Sequence, residues 1–400
     1  MNSTKKYALA VAILSSSMGQ AYASDAEGEY HGYFRAGVGS NSSKGSQACF
    51  GLEGVGKYRL GNECDTYGEF LYKKEVAKSA NGASFVGNVM ADFSSPSSDI
   101  GDNKLGLAQM FVEAKNIDFL KGGTAWIGKR FYNRPDIHIL DFKWLQGDGV
   151  GGGISDLPLG PGKFSYGLFR NDIDKSNAAT RHNFTYEGLA VNPNGSLKFD
   201  LTLIKKDAAV VGAHNGWSLS VVHIQDKVLG GDNKLGVQYG VGPGIKIGGT
   251  GDIMQGSEVK RTRVFDNITW QVTPEWSGSA VALVQRDKSS AGTQTWTSFG
   301  VRPVYALTDN IKLQLELGHD RIKPAAGGDV QQLTKLTFAP TLAAGKAFWS
   351  RPELRAFVTY AKWNRAAQLA ASAGTTLSST GVFGGSTNGT SIGLQVETWF

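Results

Sequence analysis

Ile311–Leu317 reads IKLQLEL, in which Ile311, Leu313, Leu315 and Leu317 alternate strictly with Lys312, Gln314 and Glu316. A strand turns successive side chains to opposite faces, so this spacing gives one apolar face and one polar face; an amphipathic helix would need apolar residues three and four apart. The same alternation recurs along the chain. In Ser196–Leu203, Leu197, Phe199, Leu201 and Leu203 oppose Ser196, Lys198, Asp200 and Thr202. In His31–Val38, Phe34, Ala36 and Val38 oppose His31, Tyr33 and Arg35, and near the C-terminus Ile392, Leu394, Val396 and Phe400 oppose Ser391, Gln395, Glu397 and Trp399.

Between these stretches lie segments rich in Gly, Asn, Asp and Ser: Gly39–Gly45, Ser94–Asn103, Gly147–Gly153, Asn192–Gly195, Gly240–Gly251 and Ala370–Gly389. They read as turns and loops. None supplies the spacing of a phosphate-binding loop or of a dinucleotide fingerprint. The chain is therefore expected to be all-β.

Charged residues make up only 19% of the 400, against roughly 25% in an average globular chain. There are 53 Gly, 9 Trp, 13 Tyr and 20 Phe but only 11 Pro, which fits neither a collagen-like nor a disordered chain. Lys5 and Lys6 begin an N-terminal segment that continues with the apolar Tyr7–Leu14 and ends on Ala21 and Ala23, the small residues of a signal-peptidase site. Residues 1–23 read as an export signal and 24–400 as one domain. The apolar stretch is far shorter than the ~20 residues a membrane helix needs, and no later apolar run reaches that length. The formal net charge is +6, or +4 without Lys5 and Lys6. With no long run of like charge, nucleic acid is not an expected partner.

An exported chain of alternating strands, rich in aromatics, fits a transmembrane antiparallel β-barrel of the outer membrane, apolar side out and polar side in. Eight strands of ~10 residues would leave far too much chain in loops, whereas sixteen to eighteen leave connections of reasonable length. A barrel that wide encloses water, and its default role is solute passage. Cys49 and Cys64, the two cysteines of this exported chain, are expected to form a disulfide.

Three segments resemble the maltoporin family of sugar-selective outer-membrane porins: HGYFRAG at His31–Gly37, KYRLGNECDTYGE at Lys57–Glu69 and WIGKRFYNRPDIHILDF at Trp126–Phe142. FWSRPELRAFVTYAKW at Phe348–Trp363 and the terminal ETWF add to the match, which is faint between about 148 and 294. The resemblance implies an 18-stranded barrel, a homotrimer, and a long third loop folded into each channel. It further implies a lane of aromatics that carries sugar rings, here Tyr33, Tyr67, Trp349 and Trp399. The polar partners it implies are Arg35, Arg59, Glu69, Arg134, Asp136, His138 and Asp141, and its cysteine pair falls on Cys49 and Cys64. No cofactor or metal is implied.

The residue chemistry supports this assignment independently. A sugar ring has hydrophobic faces and a hydroxyl rim, so aromatic rings hold the one and ionised side chains bond the other. Tyr33 and Arg35 share one strand face, as do Tyr67 and Glu69. Trp399 lies opposite Ile392, Leu394 and Val396, which points it into the lumen; the alternative is a tryptophan of the membrane-interface girdle. Arg134, Asp136 and His138 alternate and share a face, and the pattern slips before Asp141, as suits a loop entering the channel.

Several positions depart from the family. Lys143 stands where the family has a constriction tyrosine, Asp232 replaces a lane phenylalanine, and Ala108 replaces a constriction arginine. No tryptophan lies between Glu69 and Trp126 to lend to a neighbouring channel, so the lane is expected to be short at its entrance. The leading functional reading is facilitated diffusion of maltose, maltodextrins or related oligosaccharides. A general-diffusion or anion-favouring porin is the first alternative. A barrel hydrolase using His138 with Asp136 or Asp141, or a surface receptor or adhesin, is the second, although no recognisable activated serine accompanies that histidine.

Overall fold

The computed structural model describes residues 27–96, 104–171 and 179–400, so the expected export signal lies outside the described residues. Eighteen strands form one sheet: β1 (Glu29–Asn41), β2 (Thr66–Lys78), β3 (Ser84–Ser95), β4 (Lys104–Lys115), β5 (Thr124–Arg130), β6 (Gly149–Leu159), β7 (Gly162–Asn171), β8 (Ala179–Asn192), β9 (Gly195–Lys206), β10 (Gly216–Val228), β11 (Gly231–Val241), β12 (Lys260–Gln271), β13 (Trp276–Ser289), β14 (Gly292–Ala306), β15 (Ile311–Lys323), β16 (Gln331–Ala343), β17 (Glu353–Trp363) and β18 (Asn388–Trp399). Each pairs antiparallel with its sequence neighbours, and β1 pairs with both β2 and β18. That last pairing closes the barrel and leaves no open edge.

The alternation read from IKLQLEL is inside-out relative to a soluble protein. On β15 Lys312, Gln314 and Glu316 are buried in the interior, while Ile311, Leu315 and Leu317 are exposed on the outer wall. On β16 Lys335, Thr337 and Thr341 face inward, with Leu336, Phe338 and Leu342 outside. Aromatic pairs mark both rims of this apolar wall: Trp276 with Tyr305 near one end, ring centroids 5.0 Å apart, and Trp217 with Tyr239 near the other, at 5.5 Å. Such girdles sit at the two membrane interfaces, where a ring can be half apolar and half wet.

Long connections gather at one end of the barrel, namely 42–65, 131–148, 242–259 and 364–387, whereas the other end is joined mainly by short turns such as 193–194 and 229–230. The third long-end loop, 131–148, folds inward as expected. Its entry is set by Asp141, whose left-handed backbone (φ 48°) ends a short 3-10 turn at His138–Leu140 and lets Asp136–Ile137 pair with Phe142–Lys143. Asp tolerates that conformation better than most residues. Ile137, Ile139, Leu140, Trp144 and Leu145 are then buried in one cluster with Phe265 and Trp296 of the inner wall. At about 2 kcal/mol for each large apolar side chain, this packing fixes the loop.

The first loop, 42–65, also enters the barrel, which the sequence reading did not foresee. Its Leu60 amide donates to Glu316 Oε1 (3.0 Å), and Lys335 Nζ donates to the Leu60 carbonyl (2.8 Å). The Cys49–Cys64 disulfide is formed, with Cα atoms 5.9 Å apart. Beside it the buried Asn62 side chain bonds the backbone of Phe50 and Tyr58.

Each of the glycine-rich stretches expected as turns shares at least an end with a strand, and two of them do so over three residues or more. Gly39–Asn41 ends β1, and Gly149–Gly153 begins β6. The glycines of β6 answer to close strand approach: a Cβ on Gly151 would lie 2.0 Å from the Leu168 carbonyl oxygen, and one on Gly153 2.0 Å from that of Tyr166.

Candidate functional site

The site is laid out by the register of β18, β1 and β2. Tyr33 pairs with Trp399 on one side and Glu69 on the other, while Arg35 pairs with Glu397 and Tyr67. Two adjacent rows therefore cross the seam, Trp399–Tyr33–Glu69 and Glu397–Arg35–Tyr67, all on the lumenal face. The Tyr33 and Tyr67 ring centroids are 6.2 Å apart, and those of Trp399 and Trp349 are also 6.2 Å apart. Trp349 comes from the 344–352 connection at the opposite end of the barrel from the first loop and is half-exposed. The four aromatics thus follow one another along one side of the channel. Trp399 has the Arg351 guanidinium over its ring at 4.1 Å, which places it inside the barrel and away from the girdle.

A cavity of about 740 Å³ lies against this row. Tyr33, Arg35, Tyr67, Glu69 and Trp399 line it from the wall, Arg59 from the first loop, and Arg134, Asp136, His138, Asp141, Phe142 and Lys143 from the third. Every residue singled out in the sequence for a lane or polar role lines it except Trp349, which joins through its contact with Trp399. Asp232 lies elsewhere on the barrel, ion-paired with Lys234 of its own strand, and Ala108 is buried on β4.

The polar groups hold one another in fixed geometry. Arg59 Nη2 donates to Tyr33 Oη (2.7 Å) and pairs with Glu63 (2.6 Å) and Glu397 (3.0 Å). Arg35 pairs with Asp65 at 2.6 Å, and its guanidinium lies 5.4 Å from the Tyr67 ring centre. Tyr67 Oη donates a short hydrogen bond to Glu69, and Arg134 lies between Glu69 (3.8 Å) and Asp148 (3.4 Å) while stacking on Phe131. Glu397 is also bonded by Arg351 (3.0 Å) and Arg355 (2.5 Å). Sequence reading put Glu397 on the lumenal face but missed its role as the common anchor of three arginines, since Arg351 and Arg355 follow it only in space.

His138 is wedged between guanidiniums, with Arg59 Nη1 3.2 Å from Nδ1 and Arg351 Nη2 3.4 Å from Nε2; Glu397 lies 3.8 Å from Nε2. Burial, and then the Arg59 charge, hold its pKa well below the usual 6.5. A ring so enclosed is a spacer between Trp349 and Trp399, whose rings it meets edge-on, and is poorly placed as a general base. Asp136 is raised from its ordinary carboxylate value, chiefly by burial, with Arg59 opposing. Lys143 is lowered, first by burial and then by Arg134, and makes no ion pair among the described residues. The site therefore offers ring faces on one side, and donors and acceptors of both signs around them.

Among known proteins, the family model described as LamB porin matches residues 29–400. Solved structures with the same fold include OccAB1 of Acinetobacter baumannii, 12% identical with a TM-score of 0.53, covering 95% of this chain and 100% of that one. OpdQ of Pseudomonas aeruginosa is 9% identical with a TM-score of 0.55, covering 94% and 99%. OpdK of the same organism is 10% identical with a TM-score of 0.52, again covering 94% and 99%.

Proposed function

Because the chain belongs to the LamB porin family, whose members are channels of the Gram-negative outer membrane, we propose that it conducts sugars by facilitated diffusion, with maltose, maltodextrins or related oligosaccharides as its solutes. The observation that carries this reading is the run of Tyr67, Tyr33, Trp399 and Trp349 along one wall of a cavity otherwise lined by Arg35, Arg59, Glu69, Arg134, Asp136, Asp141 and Lys143. Stacking on successive rings lets a chain of sugars advance without losing its apolar contacts all at once, while ionised groups exchange hydrogen bonds with the hydroxyls. The protein works as a homotrimer, delivered by cleavage of residues 1–23, and needs no cofactor. Native extraction in mild detergent should give trimers; monomers would count against the assembly.

The test is ion conductance across planar bilayers during titration with maltose and longer maltodextrins. Saturable closure of the ion current, tightening with chain length, is expected. Unblocked current at high sugar would favour the second reading, a general or anion-favouring porin, for which Lys143, lining the cavity without an ion pair among the described residues, is the supporting observation.

A further inference from the structure

A second cavity, of about 580 Å³, adjoins the first across Phe142 and Lys143, which line both. Its walls come from the third loop, from the 242–259 loop and from β12, β13 and β14. Trp296 and Phe142 meet edge to face there, 5.4 Å between centroids, and Trp144 lies beside them. The volume is that of a small-molecule site.

Arg263 of β12 faces this chamber and is 4% exposed. Its Nε donates to Gln285 Oε1 and its Nη1 to Gln238 Oε1, both at 2.8 Å, and its guanidinium lies 4.6 Å from the centre of the Phe142 ring. Gln238 is itself held by the Trp144 carbonyl (2.9 Å) and Ser220 Oγ (3.0 Å), so the guanidinium is rigidly placed. Both acceptors are neutral amides. Among the described residues Arg263 has no carboxylate within ion-pair distance, in contrast to Arg302 on Glu316, Arg355 on Glu397 and its neighbour Arg261, which is held by both oxygens of Asp287. Burying a guanidinium without a counter-charge is costly, and amide oxygens solvate it without neutralising it. Lys143 adds a second unpaired cation at the chamber mouth. Asp252 is the carboxylate that lines the chamber, and its Oδ1 accepts from the Met254 amide (2.9 Å).

We propose that this chamber is a subsite for the anionic group of an acidic sugar, a carboxylate or a phosphate, with Arg263 and Lys143 as its cations and Trp296 and Phe142 flanking the ring. The assignment rests on the sugar-channel reading and sharpens it: solutes that carry both hydroxyls and a negative charge are held more tightly than neutral ones of the same size.

The test compares three probes derived from one disaccharide, namely maltose, its ring-opened aldonate maltobionate and maltose 1-phosphate, as blockers of ion current in bilayers at 0.1 M KCl. Half-block by both acidic probes is expected at concentrations at least fivefold below that for maltose. The advantage should shrink in 1 M KCl, where charge is screened. In Arg263→Gln the ratio should fall to about one. If that variant does not assemble, Lys143→Gln serves, with at least a twofold fall. If only one acidic probe has the advantage, the subsite takes that group and the proposal holds for it alone. Equal block by all three, or a ratio that survives Arg263→Gln, overturns the subsite and leaves the sugar channel standing. Failure of every sugar to block overturns both.

Discussion

Tyr33 and Trp399 sit directly opposite each other across the seam where the first strand closes on the eighteenth, and Tyr33 Oη donates to Glu397, two residues before that tryptophan (3.3 Å). The closing register of the barrel and the alignment of the aromatic lane are thus one constraint. A slip of a single residue would turn Trp399 to the lipid side.

Trp399→Ala should remove a ring face between Tyr33 and Trp349 and leave the strand pairing intact. A loss of about 1 kcal/mol of stacking corresponds to roughly fivefold weaker sugar block. Open-channel conductance should stay similar or rise slightly. Unchanged block in the bilayer titration would remove Trp399 from the lane.

Lys143→Tyr should shift reversal potentials in a salt gradient toward cations and strengthen block by long maltodextrins. The substitution trades a flexible ammonium for a ring face where two cavities meet. If neither quantity moves, Lys143 does not control the passage.

Raising the pH should give the same shift in the unmodified channel. Burial and the neighbouring Arg134 favour the neutral form of Lys143, with Asp148, Glu69 and Asp141 opposing, so its charge is lost below the ordinary 10.5. Reversal potentials should move toward cations as the pH climbs through the alkaline range, and this movement should be much smaller in Lys143→Gln. Identical curves for the two proteins would contradict it.

Replacing Cys49 and Cys64 together by serine should leave the barrel assembled and loosen the first loop. A 15-residue closure is worth about 3 kcal/mol, while the Leu60 and Asn62 hydrogen bonds remain. Trypsin should then cut after Lys57 or Arg59 at least tenfold faster. No change in cleavage would mean that those hydrogen bonds suffice.

Strand positions were legible because the period of two needs only local sequence, and the C-terminal alternation placed Trp399 on the lumenal face that it occupies. The slip before Asp141 likewise marked the point where the third loop turns. What stayed hidden depends on contacts between distant segments. Phe265 and Trp296 face inward, where alternation alone would call for polar residues, because the third loop packs on them. The entry of the first loop could not be read from 42–65 alone, since its partners Glu316 and Lys335 lie far along the chain. Arg263 falls in the region where resemblance was faint, and its significance lies in missing a carboxylate partner, which no linear pattern reveals. Gly151 and Gly153 looked like turn residues because glycine serves close backbone approach and tight turns equally well.

The seam of β1 and β18 brings Tyr33 and Arg35 beside Glu397 and Trp399 from segments separated by most of the sequence. On the proposed sugar-channel reading, the aromatic row is therefore complete only when the two ends of the chain have met, so that closing the wall and completing the binding surface are a single event.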